Sequence, residues 1–248
     1  MKKLFNQLAL LLFFTPFVLA QDLDFFNEYF IDETMRIDYY HIGNSEEEII
    51  TIDQIYKYGI WAGSRKYLID DLNLGRYCVK IYDAETNQLI FSKGFDSYFG
   101  EYKTSSEGLE GIKKTFHESA LIPYPKNKII FSMERRDDKQ NLFEFFRREI
   151  DPNDVMIIRD NIKNRQVKVY DAESNGDPHS RVDVVIIGEG YSLDDKPKFE
   201  KDLRYFSDLF FNQEPYKSYA DKFNIHGVYK PSEDSGIDEP RAGIFKNS

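Results

Sequence analysis

The chain of 248 residues carries 33 basic and 43 acidic side chains, for a formal net charge of −10 at pH 7. This charge argues against binding to nucleic acid or to anionic lipid, because both need a basic face. Cys78 is the only cysteine in the sequence, so an internal disulfide is impossible and packing has to supply the stability. The alternating apolar stretch around Cys78 indicates a buried, unreactive thiol rather than a nucleophile.

The first twenty residues predict a cleavable export signal. Lys2 and Lys3 precede an apolar run from Leu8 to Leu19, and the small residue Ala20 stands at the predicted cleavage site. The run is too short and too interrupted to span a bilayer, which takes about 20 apolar residues. We therefore predict a soluble protein that is exported to the periplasm or out of the cell, with a mature chain that begins at Gln21.

Residues 21–152 show the pattern of a β domain. Apolar and polar residues alternate in several short segments, which places one face on a core and the other in water. Turn residues separate the segments at 83–87 and 137–141, and Pro123 and Pro125 also indicate a connection. The pattern predicts an antiparallel β-sandwich that ends near Asp151–Asp154. The alternating segments are Met35–Ile42, Tyr77–Tyr82, Leu89–Phe91, Lys128–Met133 and Leu142–Arg147.

Residues 153–248 follow a different pattern. The apolar run Arg181–Ile187 predicts a strand covered on both faces, and Phe223–Tyr229 predicts a second strand. Between them, four apolar residues form one stripe along a helix from about Asp194 to Phe211. This order predicts a βαβ unit with a parallel strand pair, as in an α/β domain. One such unit cannot bury both faces of a sheet, so we expect a larger domain of which these residues are the beginning. The stripe consists of Phe199, Leu203, Phe206 and Phe210.

Two motifs resemble catalytic or binding signatures without completing them. Gly188-Glu189-Gly190 follows a predicted strand, as in a dinucleotide fingerprint, but Leu193 stands where the third glycine is needed. We interpret these glycines as a tight turn with Glu189 at its tip. The paired acids Asp70-Asp71 and Asp137-Asp138 are interpreted as solvated turns rather than as glycosidase carboxylates.

The four histidines do not form a metal-binding motif in the sequence. None has a second histidine at the i, i+4 spacing, and neither His-Glu-x-x-His nor Gly-x-Ser-x-Gly occurs. The sequence leaves open whether His226 faces a domain interior or a site. We therefore assign no catalytic, cofactor-binding or metal-binding residue from the 248 residues. The histidines are His41, His117, His179 and His226.

Several segments resemble one known family. Arg181–Tyr191, an Arg-Val-Asp-apolar run that ends in Gly-Glu-Gly-Tyr, is similar to the first catalytic-domain strand of the bacterial IgA-peptidase family of zinc metallopeptidases. The segments Phe210–Tyr219, Lys222–Ile225 and Pro231–Arg241 also resemble that domain. Gly94–Tyr102 and Thr115–Ser119 resemble the β-rich domain that precedes it. The resemblance therefore runs from about residue 75 to Ser248.

The resemblance implies the N-terminal portion of an exported zinc metallopeptidase, with a β domain followed by the start of a zincin-like catalytic domain. It implies zinc as cofactor and a protein or peptide as substrate of the full-length form. The family's His-Glu-x-x-His helix, its further zinc ligand and its glutamate base have no counterpart here, so we expect this chain to bind no zinc and to be inactive alone. Gly236, Asp238, Pro240 and Arg241 match a family segment, but the resemblance implies no role for them.

A second hypothesis comes from another functional class. The chain would be a non-catalytic exported module whose sandwich binds a glycan or a protein. The abundant aromatic residues, 21 Phe and 17 Tyr in the whole chain, would then supply a binding platform, although a buried core also accounts for them.

Overall fold

The computed structural model describes residues 25–160 and 164–248, which form two compact units that divide after Asp160. The predicted signal at residues 1–20 lies outside the described residues. None of the helices in the two described ranges has the length and the apolar character needed to cross a bilayer. The first unit is mostly β-sheet and the second combines a sheet with a long helix, which agrees with the prediction of an α+β chain.

The described part of the first unit is built from two antiparallel sheets and three short helices. Its elements are α1 (residues 25–29), β1 (Phe30–Gly43), β2 (Glu48–Lys57), β3 (Tyr77–Asp83), β4 (Leu89–Phe95), α2 (Tyr98–Tyr102), α3 (Ser106–Leu109), β5 (Lys114–Pro125), β6 (Ile129–Arg136) and β7 (Leu142–Ile150). The three-stranded sheet has the order β2-β1-β5, and the four-stranded sheet has the order β4-β3-β6-β7. Neighbouring strands are antiparallel throughout both sheets.

Both sheets contribute to one hydrophobic core, as period-two alternation requires. On β1, Met35, Ile37 and Tyr39 are at most 1% exposed, and on β6 Phe131 and Met133 are fully buried in the same cluster. Burial of a side chain of this size stabilises the fold by about 1.5–3 kcal/mol. Inward residues of all seven strands therefore hold the unit together without a disulfide. Cys78 is buried on β3, which confirms the prediction of a buried thiol.

The alternation did not reveal β2 and β5, which are the two edges of the three-stranded sheet. Edge strands face water along one side and carry more polar residues, so their pattern is weaker. The prediction that Pro123 and Pro125 mark a connection was wrong. They lie in β5, where Pro125 is opposite Phe30 and Pro123 is opposite Thr34. Proline is tolerated there because an edge strand need not donate every backbone hydrogen bond.

The long connection between β2 and β3 is fixed to the edge of β4. Its side chains Trp61 and Leu68 are buried in the core, and the Leu68 carbonyl accepts a hydrogen bond from Ser92 N at 2.9 Å. The Asp70 carboxylate accepts from Leu72 N at 3.0 Å and from Gly94 N at 2.7 Å, so this half-buried acid belongs to a turn that is also bonded to β4. The connection thereby covers the outer edge of β4.

Residues 153–160, which the sequence assigns to the second domain, pack in the structure with the first unit. Ile157 is 4% exposed and belongs to the first core. Ile158 forms a parallel bridge with Tyr56 of β2, through hydrogen bonds of 2.9 Å with Ile55 and Lys57. These contacts place the end of the first unit after the predicted boundary.

The described part of the second unit is a three-stranded sheet with one long helix. Its elements are β8 (Lys168–Glu173), β9 (Val182–Ile187), α4 (Lys196–Phe211) and β10 (Phe223–Tyr229). The strand order is β8-β10-β9, with β10 parallel to β9 and antiparallel to β8. A short 3-10 turn, Leu193–Asp195, precedes α4, and Pro197 stands in the first turn of the helix.

Helix α4 packs on the sheet through Phe199, Leu203 and Ser207, each at most 4% exposed. The predicted stripe was therefore wrong at Phe206, which is 50% exposed. The rotation of the helix is set by Gly227 on β10, because an added Cβ there would lie 2.4 Å from Leu203 Cδ2 and 3.1 Å from Phe199 Cζ. The missing side chain lets the helix approach the strand closely.

The opposite face of this sheet is open within the described residues. Val185 and Ile187 on β9 are 53% and 75% exposed, and Val169 on β8 is 63% exposed. The expectation that both faces of β9 are covered is not met by residues 164–248. Only the face that carries Ile186 is covered, by α4.

Candidate functional site

The second unit has a crevice at the carboxyl ends of its two parallel strands. The chain leaves β9 through Gly188-Glu189-Gly190 and leaves β10 through Lys230 and Pro231, so both loops meet at one edge of the sheet. They line a cavity of about 760 Å³. Ligands of open α/β sheets bind in crevices at this edge, which makes the cavity the candidate functional site.

Two glycines bring the walls of this crevice together. Gly190 has a φ of +73°, and an added Cβ would lie 2.5 Å from the Gly236 carbonyl oxygen. The close approach allows Gly236 N to donate a 2.8 Å hydrogen bond to the Gly190 carbonyl. At Gly188, an added Cβ would lie 2.7 Å from the ring of Phe199. Close packing therefore explains why glycine is needed at both positions, and no bound nucleotide has to be invoked.

The crevice carries three exposed charged side chains and one half-buried serine. Glu189 projects from the tip of the first loop, while Lys230, Ser232 and Glu233 lie on the second. The Glu233 carboxylate accepts a 3.1 Å hydrogen bond from the side-chain amide of Asn247. These groups can bind a charged or polar ligand group, and none of them pairs a nucleophile with a base.

The structure places His226 on the open face of the sheet and not in the crevice. Its Nδ1 lies 2.8 Å from Asp171 Oδ1, and its Nε2 lies 3.9 Å from Asp183 Oδ1. Asp183 in turn accepts a 2.7 Å hydrogen bond from the Asn224 side chain. The imidazole therefore links three strands across this face, which is a structural role.

His117 and His179 each contact a nearby acid. His117 pairs with Asp53 on the surface of the first unit at 3.2 Å, and His179 contacts Asp177 in a 3-10 turn. Within residues 25–160 and 164–248, no three His, Cys, Asp or Glu side chains are arranged to hold a metal ion. These residues therefore do not fit a zinc site.

The first unit contains a buried polar network centred on His41 of β1. The imidazole is completely buried, and its Nδ1 lies 3.0 Å from Glu118 Oε2 on β5 while its Nε2 lies 2.8 Å from Glu48 Oε1 on β2. Glu48 Oε2 also accepts from Lys103 Nζ at 2.7 Å and from Arg135 at 2.5 Å. The network thus joins both sheets and the segment after α2.

The network determines the charge states of its members. Burial alone would lower the pKa of His41, but hydrogen bonds to Glu118 and Glu48 outweigh it and raise that pKa. Burial would raise the pKa of Glu48, but hydrogen bonds from His41, Lys103 and Arg135 lower it to about 2. The protonated form of His41 is therefore favoured between two carboxylates, and both ring nitrogens are engaged, which leaves no open position for a ligand.

Sequence reasoning missed this network, although one signal for it was present. His41 continues the inward positions Met35, Ile37 and Tyr39 of β1, so the alternation already places it on the core face. Its partner Glu118 is 77 residues away in sequence, and nothing local indicates that contact.

Comparison with known proteins assigns a family model to each unit. Residues 25–147 match the model described as Peptidase M64 N-terminus, and residues 171–248 match the model described as IgA Peptidase M64. No curated protein matches the chain closely enough to identify a relative. The two matches occur in the order of the two compact units and do not overlap.

Proposed function

Because the chain belongs to the IgA Peptidase M64 family, we propose that it is the N-terminal portion of an exported zinc metallopeptidase. In this proposal the first unit is the β-sandwich domain, and the second unit is the beginning of a zincin-like catalytic domain. The observation that carries the proposal is the correspondence between the two family matches and the two compact units.

The strand arrangement of the second unit also supports the proposal. Parallel β9 and β10 with α4 between them in the chain are the arrangement that opens an α/β domain. The crevice with Glu189, Lys230 and Glu233 lies at the edge where such domains bind ligands. We propose that the crevice forms one wall of the substrate cleft. The substrate would be a protein or a peptide, as the family implies.

In this proposal the zinc site is not formed by the described residues. M64 peptidases depend on zinc in general, whereas residues 25–160 and 164–248 present no metal-binding group and the 248 residues contain no His-Glu-x-x-His. We infer that the zinc ligands and the catalytic base come from sequence outside these 248 residues. The purified chain should therefore bind no stoichiometric zinc and cleave neither casein nor immunoglobulin.

An antibody against the purified chain provides the positive test. The native protein captured from the source culture should cleave casein, and a chelator should abolish the cleavage until zinc is restored. Captured protein without chelator-sensitive cleavage would overturn the proposed function. Chelator-sensitive cleavage by the 248-residue chain itself would overturn the assignment of the zinc site.

Export is part of the same proposal and rests on residues 1–20. Mass spectrometry of the captured protein should show a mature chain that begins at Gln21. Capture from the periplasmic fraction and from the medium would distinguish the two destinations. An N-terminus that retains Lys2 and Lys3 would contradict export by a cleaved signal.

A further inference from the structure

The first unit has a groove that the proposed function does not use. It has a volume of about 390 Å³ and lies between β2 and β7, which are edge strands of the two different sheets. Its floor is apolar, since Ile50 and Ile150 are buried core residues and Ile52, Ile55 and Phe146 pack partly buried against the same core. The volume falls within the range of about 300–1,000 Å³ that is typical of ligand pockets.

One end of the β2 edge already binds an extended segment of the chain. Ile158 N donates to the Ile55 carbonyl and Lys57 N donates to the Ile158 carbonyl, both at 2.9 Å. Farther along, the part of β2 that lines the groove, Ile50–Asp53, has no strand beside it on that side among the described residues. The backbone of β2 therefore accepts β-pairing, and the groove is where that pairing can continue.

The rim of the groove is acidic. Four carboxylates line it, against a single lining cation, Arg148. Lys128 Nζ lies 3.4 Å from Glu149 Oε1 and 3.7 Å from Asp151 Oδ2, and both pairs are exposed to water. Asp53 pairs with His117 at 3.2 Å, also at the surface, and exposed pairs of this kind leave the negative field of the rim largely uncompensated. The lining acids are Asp53, Glu149, Asp151 and Asp154.

We propose that this groove binds an extended peptide segment with alternating apolar and basic side chains, which adds as a strand to the free edge of β2. Alternate side chains of a strand point to opposite faces, so apolar ones would contact the isoleucine floor while basic ones face the carboxylates. The free stretch Ile50–Asp53 spans roughly 13 Å at about 3.3 Å per residue, so about four residues of the bound segment pair with β2.

The binding test uses three labelled hexapeptides and the purified chain, with fluorescence anisotropy as the readout. A Lys-Val repeat should bind, and higher salt should weaken its binding because salt screens the exposed acids. A Glu-Val repeat keeps the strand propensity and reverses the charge, and a Lys-Ser repeat keeps the charge and removes the apolar groups. Both should bind at least about tenfold more weakly.

Two matched variants locate the site. Thr51→Lys places a cation in the groove and should weaken binding of the Lys-Val peptide at least about tenfold. Thr115→Lys makes the same change at an exposed position of β5, the other edge of the same sheet, and should leave binding unchanged. Trp61 emission verifies that each variant is folded. If Thr51→Lys does not fold, Gln54→Lys replaces it, because Gln54 is also exposed and lines the groove.

Hydrogen exchange distinguishes addition of the peptide as a strand from nonspecific electrostatic binding to the acidic surface. The Lys-Val peptide should protect amides in β2 and β7 and leave β5 unchanged. Absence of binding, equal binding of the Glu-Val peptide, unchanged binding in the Thr51→Lys variant, or protection elsewhere would each overturn the proposal. Peptide binding needs no zinc and no cleavage, so these results are independent of the proposed peptidase function.

Discussion

Nε2 of His41 lies 2.8 Å from Oε1 of Glu48, and the side chains of both residues are completely buried. The contact holds opposite charges in the interior of the first unit, between β1 and β2. Because the pKa of His41 is raised and that of Glu48 is lowered to about 2, the stability of this unit depends on pH in two directions.

We expect the first unit to be most stable between about pH 4.5 and 6.5. The raised pKa of His41 stabilises the fold fully below the ordinary value of 6.5, and this contribution is lost as the pH rises through the folded value. The lowered pKa of Glu48 stabilises above the ordinary value of 4.5, and this contribution is lost as the pH falls toward about 2. Urea unfolding followed by the fluorescence of Trp61, the single tryptophan, measures the profile.

Two histidine variants test whether His41 causes the loss of stability above pH 6.5. His41→Gln should remove the loss of stability above pH 6.5, because the titrating group is gone. His117→Gln should keep the loss, since His117 pairs with Asp53 on the surface. The assignment to His41 fails if both variants show the profile of the unmodified chain.

Glu48→Gln should lower the free energy of unfolding of the first unit by about 2–5 kcal/mol, because His41, Lys103 and Arg135 lose the charge that compensates them. Glu47→Gln is the matched control. The Glu47 side chain is 57% exposed and pairs with Lys113 at the surface, so its cost should stay below about 1 kcal/mol. Equal costs for the two variants would contradict the role of the network.

Gly227→Ala should destabilise the second unit by about 1–3 kcal/mol, because the added Cβ meets Leu203 at 2.4 Å and forces α4 away from β10. The loss of helical circular dichroism in urea reports this unit. Val169→Ala removes two methyl groups from the exposed face of the same sheet and should cost less than about 1 kcal/mol. A Gly227→Ala cost within that range would contradict the packing argument.

Gly190→Ala should speed hydrogen exchange of the Gly236 amide, which donates to the Gly190 carbonyl in the crevice wall. The added Cβ would lie 2.5 Å from the Gly236 oxygen. Gly243→Ala serves as the control, because Gly243 has a similar φ of +69° with no atom within 4 Å of an added Cβ. The control keeps the backbone strain of about 1–2 kcal/mol and omits the clash. Unchanged exchange at Gly236 in the Gly190→Ala variant would contradict the proposed wall.

The sequence predicted five of the seven strands of the first unit and missed β2 and β5, the two edges of the three-stranded sheet. Alternation in β1, β3, β6 and β7 reflects burial against the core, and each segment occurs as a strand. Strands β2 and β5 were missed because apolar residues stand side by side in both, at Ile49-Ile50 and Ala120-Leu121-Ile122, and break the strict alternation with polar residues. Phe206 was placed in the buried stripe of α4 because periodicity cannot tell which of two neighbouring helix faces meets the sheet. Gly227 decides that rotation, and it lies on another element.

The sequence by itself determined the strand alternation, the family resemblance and the absence of a His-Glu-x-x-His motif, because each of these is written in residues that are near neighbours in the chain. Tertiary structure decided which polar residues meet. His41 and Glu118 are 77 residues apart, and they touch only because β1 lies between β2 and β5 in the sheet. The groove between β2 and β7 likewise exists only where the edges of two sheets come together. Strand order, which no local pattern encodes, is the physical reason for both.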